Sequence, residues 1–301
     1  MITPAVSGMV LATNRNTLQE FHVDIPLTKE ASEVVFKLSS LHSLSVATKG
    51  GILLPSASLP NLTQLVIICD NQGCWPQLFH EATFGKLEFV TFYPQSEQLG
   101  DFLETFERAA LSSSIQNTLS TFRVSTISAR NPNYSSLLPF TQLVHLAIES
   151  SCNRGCSSRV DDDIVISLSR AMPKLQFPRL GDPPCEESRT GATVNGLVAL
   201  ALHCPNLQDL CIHFQVVSLS APPATPGIDR NTCGSWTGRG LTLIVGGIVL
   251  PEGSVLVVAL TLLRIFPRIE YIGSLGEDER WEQVADAIQV SKKIVDCSGK
   301  P

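Results

Sequence analysis

The sequence predicts an α/β chain of stacked repeats, each a strand followed by a helical or irregular return, and three observations predict it. Large apolar residues recur in one fixed order at intervals of 21 to 33 residues along the 301-residue chain. A proline stands at one place ahead of several of these copies, and stretches with helical spacing lie between them.

The recurring order is i, i+3, i+5. It starts at Leu18 (Phe21, Val23), Leu41 (Leu44, Val46), Leu62 (Leu65, Ile67), Leu87 (Val90, Phe92) and Leu119 (Phe122, Val124). It continues at Leu143 (Leu146, Ile148), Leu175 (Leu180 only) and Leu207 (Leu210, Ile212). Two weaker copies follow, one with Gly240 in first place ahead of Leu243 and Val245, the other at Ile269 with Ile272. Subtracting successive starts (18, 41, 62, 87, 119, 143, 175, 207, 240, 269) yields intervals of 23, 21, 25, 32, 24, 32, 32, 33 and 29. Three apolar matches arise by chance at roughly one position in thirty, so the bare order carries little. The punctuation carries more. Proline sits two residues ahead of the start in Leu59-Pro60-Asn61-Leu62, Met172-Pro173-Lys174-Leu175, Cys204-Pro205-Asn206-Leu207 and Phe266-Pro267-Arg268-Ile269. Proline cannot continue a helix and pushes its predecessor toward an extended conformation, so it is expected to end one element and launch a strand.

Helical spacing marks Glu30 to Leu38 (Ala31, Val34, Val35, Leu38), Ile164 to Met172, and Val194 to Leu202. Asp161, Asp162 and Asp163 precede the second of these, where carboxylates cap free amides and meet the positive end of the helix dipole. A strand-turn-helix unit cannot bury both faces alone and must stack on its neighbours. The predicted architecture is therefore a leucine-rich-repeat solenoid over residues 1–301, a curved horseshoe with parallel strands on the concave face and helices on the convex face. Residues 221–240, rich in Pro, Gly, Thr and Ser, read as a loop insertion. Trp281 to Ser291 places Trp281, Val284, Ala285 and Ile288 on one stripe, the pattern of a C-terminal capping helix. Pro178 takes the second apolar place of its repeat and removes a ladder donor, which predicts a weak or distorted strand there.

Composition narrows the function classes. A formal charge of −6 from 28 acidic and 22 basic residues leaves no basic stripe for a phosphate backbone, so nucleic acid is not an expected partner. Hydrophobic residues make up 44% and charged residues only 17%, which suits buried strands or a broad apolar binding face. Nine scattered cysteines, an odd number in a long chain, read as reduced thiols of the cytosol or nucleus. Residues 1–12 are mildly apolar without a Lys or Arg ahead of them, which argues against a secretory signal. Leu241 to Phe266 comes nearest to a membrane span, yet Pro251, Glu252 and Gly253 interrupt it where about 20 unbroken apolar residues are needed.

The segment Cys204-Pro205-Asn206-Leu207-Gln-Asp-Leu210-Cys-Ile212 resembles the cysteine-containing repeats of F-box leucine-rich-repeat proteins. Val160-Asp-Asp-Asp-Ile164, Ala171-Met-Pro-Lys-Leu175, Leu180-Gly-Asp-Pro-Pro-Cys185 and Val258-Ala-Leu-Thr-Leu-Leu-Arg-Ile-Phe-Pro267 resemble a group of fungal F-box-like proteins. The resemblance implies an intracellular ubiquitin-ligase substrate receptor whose repeats capture a protein. A separate F-box helix bundle then docks on the Skp-type adaptor of a cullin ligase. The chain departs from that pattern: the first repeat starts by Leu18, and a three-helix bundle needs about 40 to 50 residues. The expectation is a protein-binding module, either the repeat region of such a receptor or a free-standing scaffold with no ligase role.

Sharper chemistry finds little support. Cys152-Asn-Arg-Gly-Cys156 could offer zinc ligands with Cys185, His203 or Cys204, but no second knuckle at matching spacing accompanies it, and a turn with two free thiols is the plainer reading. The Asp161 to Asp163 run lacks the further oxygen ligands of a metal loop. Gly234-Ser-Trp-Thr-Gly238-Arg-Gly240 lacks the Gly-Lys-Ser/Thr ending of a phosphate loop. Despite six histidines, no nucleophile elbow is present, so no enzyme, cofactor or metal is expected. Asn61-Leu-Thr63 and Asn133-Tyr-Ser135 fit the glycosylation pattern by coincidence in a chain read as intracellular.

Side chains alternate along a strand, so if i, i+3 and i+5 point inward, then i+2, i+4 and i+6 point out of the concave sheet. The rule yields a partner-binding list: Gln64, Val66, Ile68, Phe89, Thr91, Tyr93, Arg123, His145, Glu149, Arg179, Asp209 and His213. Stacked strands would gather Ile68, Phe89 and Tyr93 into one apolar patch, the composition of an interface hot spot. A register off by one residue would place the same rings in the core.

Overall fold

The computed structural model describes residues 17–48, 58–69, 83–94, 99–113, 115–126, 133–150, 160–180, 191–212, 240–245, 250–274 and 278–298. The chain divides into two compact units, residues 1–153 and 154–301, each with its own α/β architecture.

Unit 1 contains β1 (Glu20–Pro26), α1 (Lys29–Val35), β2 (Ser43–Thr48), the short β3 (Ser58–Leu59), β4 (Gln64–Cys69), the short β5 (Thr83–Phe84), β6 (Phe89–Pro94), α2 (Leu99–Ser113), β7 (Thr121–Thr126) and β8 (His145–Ser150). Six strands form one parallel sheet in the order β1-β2-β4-β6-β7-β8. Unit 2 contains α3 (Asp162–Ala171), β9 (Phe177–Leu180), α4 (Val194–His203), β10 (Asp209–Ile212), β11 (Leu241–Val245), α5 (Val255–Ile265), β12 (Ile269–Ser274) and α6 (Arg280–Ser298). Its strands are parallel in the order β9-β10-β11-β12.

The first eight repeat starts each lie two residues ahead of a strand, and a repeated turn explains the offset. In six repeats the amide of the start residue donates to the carbonyl three residues back: Leu41 to Leu38, Leu62 to Leu59, Leu143 to Phe140, Leu175 to Met172, Leu207 to Cys204 and Ile269 to Phe266, at 3.1–3.2 Å. Proline holds the second position of this β-turn in four of the six, where its locked φ is already correct. The expected launch is thereby corrected. Proline does end the helix, since Met172, Cys204 and Phe266 leave it with φ near −120° and ψ of 67°, 73° and 80°. It then feeds a tight turn, and the strand begins two residues after that turn closes.

The residue after each start binds the repeats together. Its carbonyl accepts two amides from the next repeat: Gln19 from His42 and Ser43, His42 from Thr63 and Gln64, Thr63 from Glu88 and Phe89, Glu88 from Ser120 and Thr121, and Ser120 from Val144 and His145, at 2.7–3.1 Å. Gln176 does the same for Gln208 and Asp209, and the Gln208 Nε2 donates to Gln176 Oε1 at 3.3 Å. Below this ladder the i, i+3, i+5 residues are buried from Leu41 through Ile148, and again at Leu180, Leu210, Ile212, Leu243, Val245 and Ile272. Leu18, Phe21 and Val23 of the first copy are only half-buried.

Interval length selects the returning element. Where the interval is 29 or 32 residues and its return is described, an α-helix of ten or more residues fills it: α2, α3, α4 and α5. Intervals of 21 to 25 hold the seven-residue α1, a 3-10 turn at Tyr134–Leu137, or the paired short strands β3 and β5. That pair approaches closely: a Cβ on Gly85 would sit 2.6 Å from the Pro60 carbonyl oxygen, so only glycine fits without displacing backbone.

Unit 1 fills its core with rings. Phe102 and Phe106 of α2 lie against Phe92, Phe122 and Phe140, with centroids 4.6 Å apart for Phe92–Phe102, 4.9 Å for Phe106–Phe122 and 5.2 Å for Phe106–Phe140. Unit 2 uses aliphatic layers and carboxylate caps. Asp161 accepts from the Ile164 amide at 3.0 Å and caps its own helix, as the sequence suggests. Asp162 does something else: its carboxylate accepts from Thr193 N (2.7 Å), Thr193 Oγ1 (2.5 Å) and Gly196 N (3.0 Å), anchoring the start of α4 one repeat later. The buried Cys204 thiol points back toward the carbonyls of Ser169 (3.8 Å) and Met172 (3.6 Å), and burial pushes its pKa up to about 12.

Pro178 is buried in β9, and the β9–β10 register pairs only Arg179 with Cys211 and Leu180 with Ile212. Helix α6 is longer than the expected 281–291 span, and Trp281, Val284 and Ile288 on its stripe are buried where it packs along β12 and α5. Leu241 to Phe266 resolves into β11 and the 11-residue α5, and among the described residues no helix is long and apolar enough to cross a membrane.

Candidate functional site

Alternation places one set of side chains of the unit 1 sheet beneath it and the other set on its open face. Parallel register arranges that face in rows. One row runs Ser43, Gln64, Phe89, Thr121, His145, and the next Ser45, Val66, Thr91, Arg123, Ala147. Further along the strands, Ala47 pairs with Ile68 and Ile68 with Tyr93, while Ser125 pairs with Glu149. Phe89 is 42% and Tyr93 39% exposed, against buried Val90 and Phe92 on the same strand, so the rings belong to the face and not to the core.

The expected single patch needs a correction. Ile68 and Tyr93 face each other across neighbouring strands, but Phe89 stands four residues back on β6, opposite Gln64, with Thr91 between the rings and Val66 beside Thr91. A strand rises about 3.4 Å per residue, so the two rings flank a gap of about 13 Å instead of stacking together. Ser43, Ser45 and Ala47 on β2, which follow from the same counting rule at Leu41, supply a flank of small side chains beside Val66 and Ile68. Their significance lies in their size, which a search for large or charged residues passes over.

Arg123 is exposed in the middle of the face. His145 lies diagonally from it, and its pKa is lowered, first by burial and then by the charge of Arg123. The Thr121 Oγ1, in the row between Phe89 and His145, is closed off from solvent and has no hydrogen-bond partner among the described residues.

The remaining predicted positions fall in unit 2. Arg179 and Asp209 lie on adjacent strands, and the Arg179 guanidinium stands 3.8 Å from the Asp209 carboxylate. His213 lies outside the described residues, as do Cys152, Cys156, Cys185 and nearly all of 221–240. Tyr271, which pairs with Thr242 and is 60% exposed, is the largest side chain on this face and escapes sequence reasoning because its repeat is degenerate. A cavity of about 230 Å³ opens between β12 and the start of α6, lined by residues including Tyr271, Ser274, Asp278 and Trp281. The Asp278 carboxylate beside it is already used: it accepts from Leu250 N at 2.9 Å, and from Arg280 N at 3.1 Å and Nε at 2.8 Å.

Among the described residues no three His, Cys, Asp or Glu side chains gather into a metal-binding group. Asn61 and Asn133 have structural partners: Asn61 Nδ2 donates to the Ser39 carbonyl at 3.0 Å, and Asn133 Oδ1 accepts from Ser135 N at 3.3 Å. The arrangement offers a preformed sheet surface with rings, hydroxyls and one central cation, suited to binding. The chain matches no model of a known protein family and no curated protein.

Proposed function

We propose that the chain is a protein-interaction module of leucine-rich-repeat type, with the parallel strands on the concave side of a solenoid and α6 as its cap. On this reading it is the substrate-recognition repeat region of an F-box-type ubiquitin ligase receptor. The observation that carries the binding assignment is the exposure of Phe89 and Tyr93 on the open face of a sheet whose other face is a closed core. Large rings held at the surface by rigid strands are costly to leave in water and are the residue type that dominates interface energetics. The ligase assignment draws on the Cys204-Pro205-Asn206-Leu207 repeat and its resemblance to F-box repeat proteins. The buried Cys204 thiol, directed at the preceding repeat, supplies a physical use for that cysteine.

The test is comparative affinity capture from native lysate. Phe89→Ala and Tyr93→Ala should each weaken capture at least tenfold, since truncating a central aromatic commonly costs about 2 kcal/mol or more. Circular dichroism should stay unchanged, because neither ring is in the core. Glu20→Ala, an exposed edge charge, should matter much less. Unchanged capture by both ring variants would exclude the face. Recovery of a Skp-type adaptor alongside the partner supports the ligase reading, and repeated capture of a partner without it supports a scaffold.

A further inference from the structure

Both sheets carry an arginine on the open face, and the two are treated differently. Arg179 in unit 2 faces the Asp209 carboxylate at 3.8 Å. Arg123 in unit 1 makes no ion pair among the described residues. Its neighbours across the register are Thr91 and Ala147, and Thr121 and Ser125 share its face along the strand, so the ring of positions around it is uncharged. Phe89 and Tyr93 stand on the adjoining strand, one on either side of Thr91.

From this we infer, building on the reading of that face as a binding surface, that its partner is an acidic peptide segment. One carboxylate of the segment sits on Arg123, and a neighbouring apolar side chain packs between Phe89 and Tyr93. The guanidinium is a planar fork that matches a carboxylate with two parallel hydrogen bonds, and the hydroxyls of Thr91, Thr121 and Ser125 are further donors within the same ring of positions. The unpartnered Thr121 hydroxyl gains an acceptor when the carboxylate arrives. One cation matches one negative charge; phosphate groups are normally taken by clusters of arginines, and here there is one. The chain as a whole carries −6, so no general attraction draws an acidic partner, and the preference must come from this local site.

The experiment pans a random-sequence peptide display library against the full chain and measures the affinity of synthetic peptides from the enriched pool. Enrichment of Asp or Glu next to a large apolar residue is expected. Arg123→Gln should weaken such a peptide at least tenfold, and replacing the peptide's own carboxylate by its amide should do the same. The two changes together should cost no more than either alone, the signature of one shared contact. Arg123→Glu should bind a lysine version of the peptide better than the wild type does. Circular dichroism of each variant guards against misfolding. Peptides that depend on Phe89 and Tyr93 but not on Arg123, or that are basic, overturn the acidic-partner inference while leaving the binding face in place. A phosphoserine version binding more than tenfold tighter than the glutamate version replaces it with phosphopeptide recognition. An empty selection overturns it as well. Peptides insensitive to Phe89→Ala, Tyr93→Ala and Arg123→Gln alike remove both the inference and the face.

Discussion

Units 1 and 2 build the same parallel sheet from repeats of different length, and the difference shows in what lies behind the strands. Unit 1 returns through short elements over most of its intervals, then fills the one 32-residue return with α2 and a cluster of five phenylalanines. Unit 2 has room for helices of ten and eleven residues and ties α4 to the preceding repeat through Asp162. On the open side the contrast reverses: unit 2 pairs its arginine, and unit 1 leaves Arg123 facing solvent among rings and hydroxyls. Stability in the first unit thus rests on ring packing and in the second on directed hydrogen bonds.

The largest effect that tests this contrast is in the ring cluster. Phe106→Ala removes a fully buried ring with centroids of Phe122 and Phe140 within 4.9 and 5.2 Å, and should cost about 3 to 5 kcal/mol in urea denaturation followed by circular dichroism. A loss below about 1 kcal/mol, the scale of a surface change, would mean the rings do not carry unit 1. The middle effect is in unit 2. Asp162→Ala leaves three donors without their charged acceptor and should cost about 2 to 3 kcal/mol, while Asp161→Ala, which loses one cap bond, should cost about 1 kcal/mol. Hydrogen exchange sharpens this: the Thr193 and Gly196 amides should exchange faster in Asp162→Ala and stay protected in Asp161→Ala. Equal losses would show that the inter-repeat cap adds nothing beyond a local one.

The smallest effect concerns His145. Its folded pKa lies below the ordinary 6.5, through burial and then the charge of Arg123, so the unfolded chain takes up a proton that the folded chain refuses. Stability is therefore fully present above pH 6.5 and declines as pH falls through 6.5, until the folded ring protonates as well. Arg123 and Glu149 are the charged groups sharing the face on these two strands, and exposure of the ring keeps the effect small. Denaturation midpoints across about pH 5 to 8 should show the slope in the wild type, flattened in His145→Gln and reduced in Arg123→Gln. A slope unchanged in both would assign it to another group.

Strand positions were legible because each depends on a local signal, an apolar triplet behind a closed turn. Even the degenerate copies at Gly240 and Ile269 lead into β11 and β12. The face could be listed because alternation has an exact period of two, so one correct start settles every outward position on its strand. What failed to transfer was anything that depends on two repeats at once. Pairing Ile68 with Tyr93 and Phe89 with Gln64 is a matter of register between strands separated by an interval of 25 residues, and nothing inside either strand encodes it.

By itself, then, the sequence determined the α/β class, the number and place of the repeat strands, the inward and outward sets, and the helical returns of the long intervals. The physical reason is that apolar period, proline and capping residues act over a few positions along the chain. Tertiary structure alone decided that Asp162 serves the next helix and not its own. It alone decided that the Cys204 thiol faces the carbonyls of Ser169 and Met172, more than thirty residues back. It also left Arg123 unpaired while Arg179 meets Asp209. Each of these follows from which side chains stacking brings within a few ångströms, and distance in space between repeats is not written in either repeat.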